Sequence, residues 1–306
     1  MQHKNNTNNN LKKIAALSSV CIAVFLCLIK GAAFFLTGSL AVLSSFIDSL
    51  SDIAASLITF FAIKISIRPA SVSYRYGYGK IEALSALFQS AFISGSGLFI
   101  LYDAILKFIH PTPLNQPALG LVVMGLSLFT TIILVAFQRY VAKKTNSLAV
   151  LADSAHYSID ISTNIAIIIS LLAVKLWNFY WLDSLFAALI SLYLLYNAFS
   201  LGRNAIFLLL DKELDDTIRT KIIELIKKHP LSLSVHDLRT RDIGGAYVFE
   251  LHLELDGKLS LYEAHEQTEE IEKLLKKHFP SAQIIIHQDP KGIKEKRLDN
   301  ELAQKR

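Results

Sequence analysis

Cysteine is scarce: the 306 residues hold two, Cys21 and Cys27, which excludes a disulfide-stapled scaffold. On one helix the two face away from each other. Charge is scarce over residues 14–210, with seven acids and eleven Lys or Arg, whereas residues 211–306 hold nineteen acids and seventeen bases. The chain is 52% hydrophobic and 19% charged, with a mean hydropathy of +0.40; an ordinary soluble domain is about 25% charged. A single soluble globule is therefore excluded. The first two thirds have the composition of a lipid-embedded domain and the last third that of a soluble one. No basic stripe with interleaved aromatics occurs, so nucleic acid is not an expected partner. The apolar run after Lys13 continues without an A-x-A-like cleavage site and is followed by more such runs, so it reads as a transmembrane helix rather than a signal peptide. No H-E-x-x-H motif is present, which removes a zinc intramembrane protease.

What is there is a series of apolar segments. A span needs about 20 mostly apolar residues, and six segments qualify: 14–36, 39–64, 82–108, 117–139, 149–174 and 182–205. Lys4, Lys12 and Lys13 precede the first. Arg68, Arg75 and Lys80 lie between the second and third, and Arg139, Lys143 and Lys144 between the fourth and fifth. Arg203 and Lys212 follow the sixth, while the opposite connections, LTGS, HPTPLNQP and KLWNFYWLD, contain one Lys between them. By the positive-inside rule both termini are cytoplasmic, and Trp177, Tyr180 and Trp181 sit at the outer interface. The expected organisation is a polar, disordered cytoplasmic tail (1–13), a six-helix all-α transmembrane domain (14–210), a cytoplasmic domain (211–290) and a polar C-terminal tail (291–306). The cytoplasmic domain reads as a small α+β unit of order αββαβ. Residues 215–229 and 260–278 have helical spacing. Residues 235–242, 247–255 and 283–289 read as strands, with clean period-two alternation in 247–255.

Acids inside spans cost about 2.5–3.5 kcal/mol each near the helix centre and by default mark function. The second segment holds Asp48 and Asp52, the fifth His156 and Asp160, each pair at i, i+4 and so on one helix face. Asp48 lies about 14 Å in, at 1.5 Å per residue, and the second pair reaches a matching depth. Three carboxylates and one imidazole can thus meet. Four O/N ligands without thiolate suit a tetrahedral divalent cation, zinc foremost, with Fe²⁺, Cd²⁺ and Mn²⁺ also tolerated. Two acids one turn apart on one helix suit binding better than protease dyad chemistry, so no enzyme is expected. Asp153 and Asp183 are expected at interfaces or as helix caps. Lys30, Asp103 and Lys107 lie close enough to span ends to snorkel.

Six spans, D-x-x-x-D in the second, H-x-x-x-D in the fifth and an αββαβ domain together resemble the cation diffusion facilitator family, closest to its bacterial ferrous-iron/zinc efflux branch. The stretches GSLAVLSSFIDSLSD, YGYGKIEALSAL, ADSAHYSIDISTN and VHDLRTRDIGG carry the likeness. The resemblance implies a homodimer in the cell (inner) membrane that exports divalent metal in exchange for protons, with Asp48, Asp52, His156 and Asp160 as transport site. It implies no cofactor; zinc or another divalent metal is substrate and regulatory ligand. It matches His236, His252, His265, His287 and Asp289 to a cytoplasmic metal site near the dimer interface. Lys80 and Asp211 match a charge interlock between the two portions. The family's second-to-third loop carries an Asp and two His as a further zinc site; here Ser71, Tyr74 and Tyr78 stand in those places, so that site is expected to be absent. His229 and His278 end helices and are read as structural, as are His110 and His3. A competing class is a metal-responsive membrane sensor without transport.

Overall fold

The computed structural model describes all residues except 1, 38–39, 110–117, 178–180, 231–233, 294–295 and 305–306. His110 and Tyr180 thus lie outside the described residues, as do the side chains of Asp103, Lys107, Asp183, Trp177 and Trp181. The chain divides into two compact units at Ile206/Phe207.

The first unit is helical: α1 (Gln2–Thr37), α2 (Leu40–Ser66), α3 (Ile81–Ile109), α4 (Ala118–Thr145), α5 (Leu148–Trp177) and α6 (Trp181–Leu209). These match the six apolar segments to within a few residues at most ends. Among the described residues, Thr7–Ala33, Ile81–Leu106 and Gly125–Thr145 are long and apolar enough to cross a membrane. Alanines let the helices approach closely, as small residues do in membrane bundles. Ala15 and Ala16 of α1 pack with Ile63, Val141, Ala149 and Val150, and Ala23 with Leu134, Val135 and Tyr157. Gly202 of α6 has a similar use, since a Cβ there would lie 2.8 Å from Ser90 Oγ on α3.

The unit is inverted relative to a soluble fold. Phe35, Phe99 and Phe199 are exposed, while Ser19, Thr59, Gln89, Gln138 and Asp153 are buried. Apolar side chains facing outward and polar ones inward is what a lipid surround selects.

The expected disordered tail is corrected: α1 begins at Gln2. Extending an existing helix adds one hydrogen bond per residue without a new nucleus, and Lys12 anchors the stretch. Its Nζ donates to Glu82 Oε1 at 2.7 Å, and both residues are buried. Ser66 Oγ donates to the same oxygen at 3.0 Å and Ser147 Oγ to Oε2 at 2.5 Å. One carboxylate thereby joins the body of α1 to the adjoining ends of α2, α3 and α5.

The second unit contains α7 (Asp216–Lys227), β1 (Ser234–Asp242), β2 (Tyr247–Leu255), α8 (Leu261–His278), β3 (Gln283–Pro290) and α9 (Leu298–Ala303). The strands lie in the order β1-β2-β3. β1 and β2 are antiparallel, joined by the glycine turn, whereas β2 and β3 are parallel and need the α8 crossover. Gly244 and Gly245 adopt φ of 89° and 104° in that turn, and both donate N–H to Asp242 Oδ1. Phe249, Leu251, Leu253 and Leu255 of β2 face a core shared with Ile222 and Ile226 of α7 and Ile271 and Leu275 of α8. The order is the expected αββαβ, and the polar tail that follows, which could be read as a loose helix, holds the short helix α9.

Candidate metal sites

In the helical unit, α2 and α5 bring two of the four expected transport ligands together. His156 Nε2 lies 3.1 Å from Asp52 Oδ1, and both side chains are largely buried. Asp160 is one turn further along α5, as its spacing requires. The side chain of Asp48 lies outside the described residues. Among the described residues this group does not gather three ligand atoms within 4.8 Å.

Two further polar rungs join the same helices. Ser56 Oγ and Tyr157 OH are 2.7 Å apart, and Thr59 Oγ1 donates to Asp153 Oδ1 at 3.4 Å. On α2 the rungs are Asp52, Ser56 and Thr59, at i, i+4 and i+7, which is one helix face. Asp153 Oδ2 also accepts Gln138 Nε2 of α4 at 2.6 Å, and Gln138 reaches Ser19 Oγ of α1 at 2.7 Å. Gln89 of α3 donates to Thr59 Oγ1. Asp153 is therefore no helix cap: close to the start of α5, it has no exposed surface and ties three neighbouring helices to α5. Distance from a helix end gives depth along the axis, but packing by α1, α2 and α4 decides burial. The Ser/Thr positions one and two turns after Asp52 were the signal that could have found it.

In the loop before α3, Ser71 Oγ and Tyr78 OH are 3.0 Å apart and the rings of Tyr74 and Tyr78 lie 4.8 Å apart. These three hydroxyl side chains bring no carboxylate or imidazole. Lys80 closes the turn ahead of α3, its carbonyl accepting Leu84 N–H at 3.1 Å. Asp211 follows α6 with φ of 55°.

The second unit holds the one three-ligand cluster among the described residues: His236, His252 and Asp289, with ligand atoms all within 4.8 Å. Strand register builds it. His236 of β1 pairs with His252 of β2, which pairs with His287 of β3. A register shift between His236 and Arg239, with Asp237 at φ 51°, keeps His236 on the face opposite the core. Asp289 is the hub: its Oδ2 lies 2.8 Å from His252 Nδ1 and 3.6 Å from His236 Nε2. Its Oδ1 lies 3.3 Å from His287 Nε2. His265 is exposed on α8 and stands 3.6 Å from Glu269, so the cluster does not include it. His278 bonds the Leu274 carbonyl at 3.0 Å at the end of α8, and His229 lies 3.9 Å from Glu270; both fit structural roles. Beside the cluster, burial pushes the Asp237 carboxyl up, but N–H donation from Asp299 and Leu298 outweighs this and holds it below its ordinary value.

Long apolar helices around a buried acid–imidazole pair, followed by a small domain with His and Asp gathered on its sheet, define a membrane protein with a soluble domain that carries grouped imidazole and carboxylate side chains. Comparison with known proteins makes this specific. The model of the cation efflux transmembrane domain matches residues 16–210, and that of the cation efflux protein cytoplasmic domain matches residues 214–291. The chain belongs to the cation efflux family, which is the cation diffusion facilitator family its motifs resemble. The cation-efflux pump FieF of Yersinia enterocolitica is 44% identical over 283 residues, 92% of this chain and 94% of that protein. That of Salmonella arizonae is 42% identical over 289 residues, 94% and 96% of the two chains. The metal-bound C-terminal domain of the CzcD transporter from Thermotoga maritima, a solved structure, is 30% identical and covers 27% of this chain and 100% of its own, with a TM-score of 0.25.

Proposed function

We propose that this chain exports a divalent metal cation, Zn²⁺ foremost, in exchange for protons through Asp48, Asp52, His156 and Asp160. The observation that carries the reading is the buried pairing of His156 Nε2 with Asp52 Oδ1 at 3.1 Å across α2 and α5. Family membership and the pump names of the relatives support efflux. Carboxylate and imidazole bind metal only when deprotonated, so each cation bound displaces protons and each proton bound displaces metal. Moving two positive charges outward against 100 mV costs about 4.6 kcal/mol, and each entering proton returns about 2.3. Exchange is thus energetically sound, and ligands on two helices allow a small relative tilt to open the site to either side.

In this reading the protein is no enzyme and uses no cofactor. It lies in the inner membrane with both termini cytoplasmic, as the basic connections favour. It works as a homodimer, in keeping with the matched cytoplasmic domain. His236, His252 and Asp289, extended by His287 and His265, bind cytosolic metal and regulate transport. A second reading is a sensor without transport, in which the cluster of His236, His252 and Asp289 supplies the metal-binding signal.

Flux separates them. Sealed proteoliposomes with a lumenal zinc dye and a pH dye should report zinc movement with opposite proton movement, abolished by Asp160→Ala. Zinc binding without flux, with and without a pH gradient, leaves only the sensor.

A further inference from the structure

Residues 291–306 read from the sequence as a polar tail, yet part of that tail docks beside the metal cluster. Asp237, the residue after His236, accepts the N–H groups of Leu298 and Asp299 on its carboxylate, both at 2.9 Å. Its own N–H donates to Asp299 Oδ2 at 2.8 Å. Arg297, one residue earlier, donates to Glu254 Oε1. That same oxygen faces His236 Nδ1 at 3.9 Å, while His236 Nε2 faces Asp289 at 3.6 Å. A continuous line of groups, Arg297, Glu254, His236 and Asp289, therefore runs from the C-terminal segment into the cluster.

A metal-bound imidazole uses one nitrogen for the ion and donates N–H from the other, commonly to a carboxylate that fixes the ring and raises its basicity. His236 has Nε2 on the cluster side and Glu254 on the Nδ1 side. At 3.9 Å that contact is too long for a hydrogen bond, and the oxygen that could close it is engaged by a guanidinium. We propose that Glu254 is the positioning carboxylate of the cytoplasmic metal site, and that Arg297 holds it off His236, so that the docked C-terminal segment lowers the affinity of His236, His252 and Asp289 for a divalent cation. The proposal rests on reading that cluster as a metal site. Two effects act in the same direction. Release of Arg297 lets Glu254 close on His236, and it removes a positive charge from the neighbourhood of an arriving cation. Linkage makes the coupling reciprocal: metal in the cluster favours undocking of Arg297.

The test is Zn²⁺ affinity of the full-length protein in detergent, carrying Asp160→Ala to silence the membrane site, measured by competition with a chromophoric chelator. Arg297→Ala should tighten binding by at least about fivefold, and Arg297→Lys should not. Glu254→Gln should weaken it by about 10–100-fold and should blunt the effect of Arg297→Ala. Hydrogen exchange at Leu298 and Asp299 should quicken when zinc is added. Unchanged or weaker binding in Arg297→Ala overturns the proposal, as does parent-like binding in Glu254→Gln. If His236→Ala with Asp289→Ala leaves zinc uptake unchanged, the cluster is not a metal site and the underlying reading fails with it.

Discussion

Residues Gln2–Ile206 bury Ser19, Thr59, Gln89, Gln138 and Asp153 and turn Phe35, Phe99 and Phe199 outward; residues Phe207–Arg306 bury Phe249, Leu251, Ile222 and Ile271 and, the His236–Asp289 pair of the metal cluster apart, keep most of their ion pairs at the surface. The same residue types thus do opposite work. In the helical unit specificity of packing comes from polar groups, because apolar side chains gain little by leaving lipid. In the α/β unit it comes from the apolar core. The two candidate metal sites follow the same division. His236, His252 and Asp289 sit on neighbouring hydrogen-bonded strands, so the backbone ladder fixes their spacing. Asp52 and His156 sit on separate helices held by side-chain rungs. A ladder-fixed site suits steady binding; a site between helices can change when the helices move.

The largest effect is expected where a charge is buried. Lys12→Met leaves Glu82 without its cation among buried neighbours, and removing one member of a buried pair costs about 3–5 kcal/mol. Thermal unfolding in detergent should show this as a clear drop in midpoint, and the double change Lys12→Met with Glu82→Leu should recover much of it. A parent-like midpoint in the single variant would mean that the clamp joining α1, α2, α3 and α5 does not hold the unit together. Asp153 comes next. Asp153→Ala strands Gln138 and Thr59 as buried donors, at about 1–3 kcal/mol, and Asp153→Asn should cost less because it keeps an acceptor in place. Equal midpoints for Asp153→Ala and the parent would show that the polar rungs do not stabilise the bundle.

Much of this was legible in the sequence where periodicity is strong. Most helix limits other than the start of α1 followed from apolar length, and β2 followed from the alternation of Phe249, Leu251, Leu253 and Leu255. The i, i+4 spacing put each ligand pair on one face of its own helix, and the structure shows Asp52 and His156 in contact. Other features are set by packing rather than by any local pattern. The count from the end of α5 gave Asp153 its depth along the helix but not its enclosure by three neighbouring helices. The N-terminal tail looked disordered by composition, but Lys12 finds Glu82 seventy residues away. The left-handed backbone of Asp237 and the docking of α9 have no local signature, since each depends on the other's hydrogen bonds. His265 shares a ligand's chemistry with His252, yet only the latter stands in the strand register that reaches Asp289.

The smallest effects are expected on the outside of the α/β unit, and their ranking tests whether burial is what separates the two regions. Ser260 and Glu263 form a capping box at the start of α8: Glu263 N–H donates to Ser260 Oγ at 3.3 Å, and Ser260 N–H donates to Glu263 Oε2 at 2.8 Å. Ser260→Ala removes an N-cap, a change worth about 0.5–2 kcal/mol, and should speed hydrogen exchange in the first turn of α8 while leaving the core strands protected. Lys273 pairs with Glu269 on the solvent face of the same helix at 2.7 Å, the same separation as Lys12 and Glu82. Lys273→Met should nevertheless leave the unfolding midpoint where it was, because water replaces the lost partner and salt already screens the pair. Two ion pairs of equal length would then differ only in surroundings. If Lys273→Met proved as damaging as Lys12→Met, pair geometry rather than burial would be the governing term, and the contrast between the two units would fail.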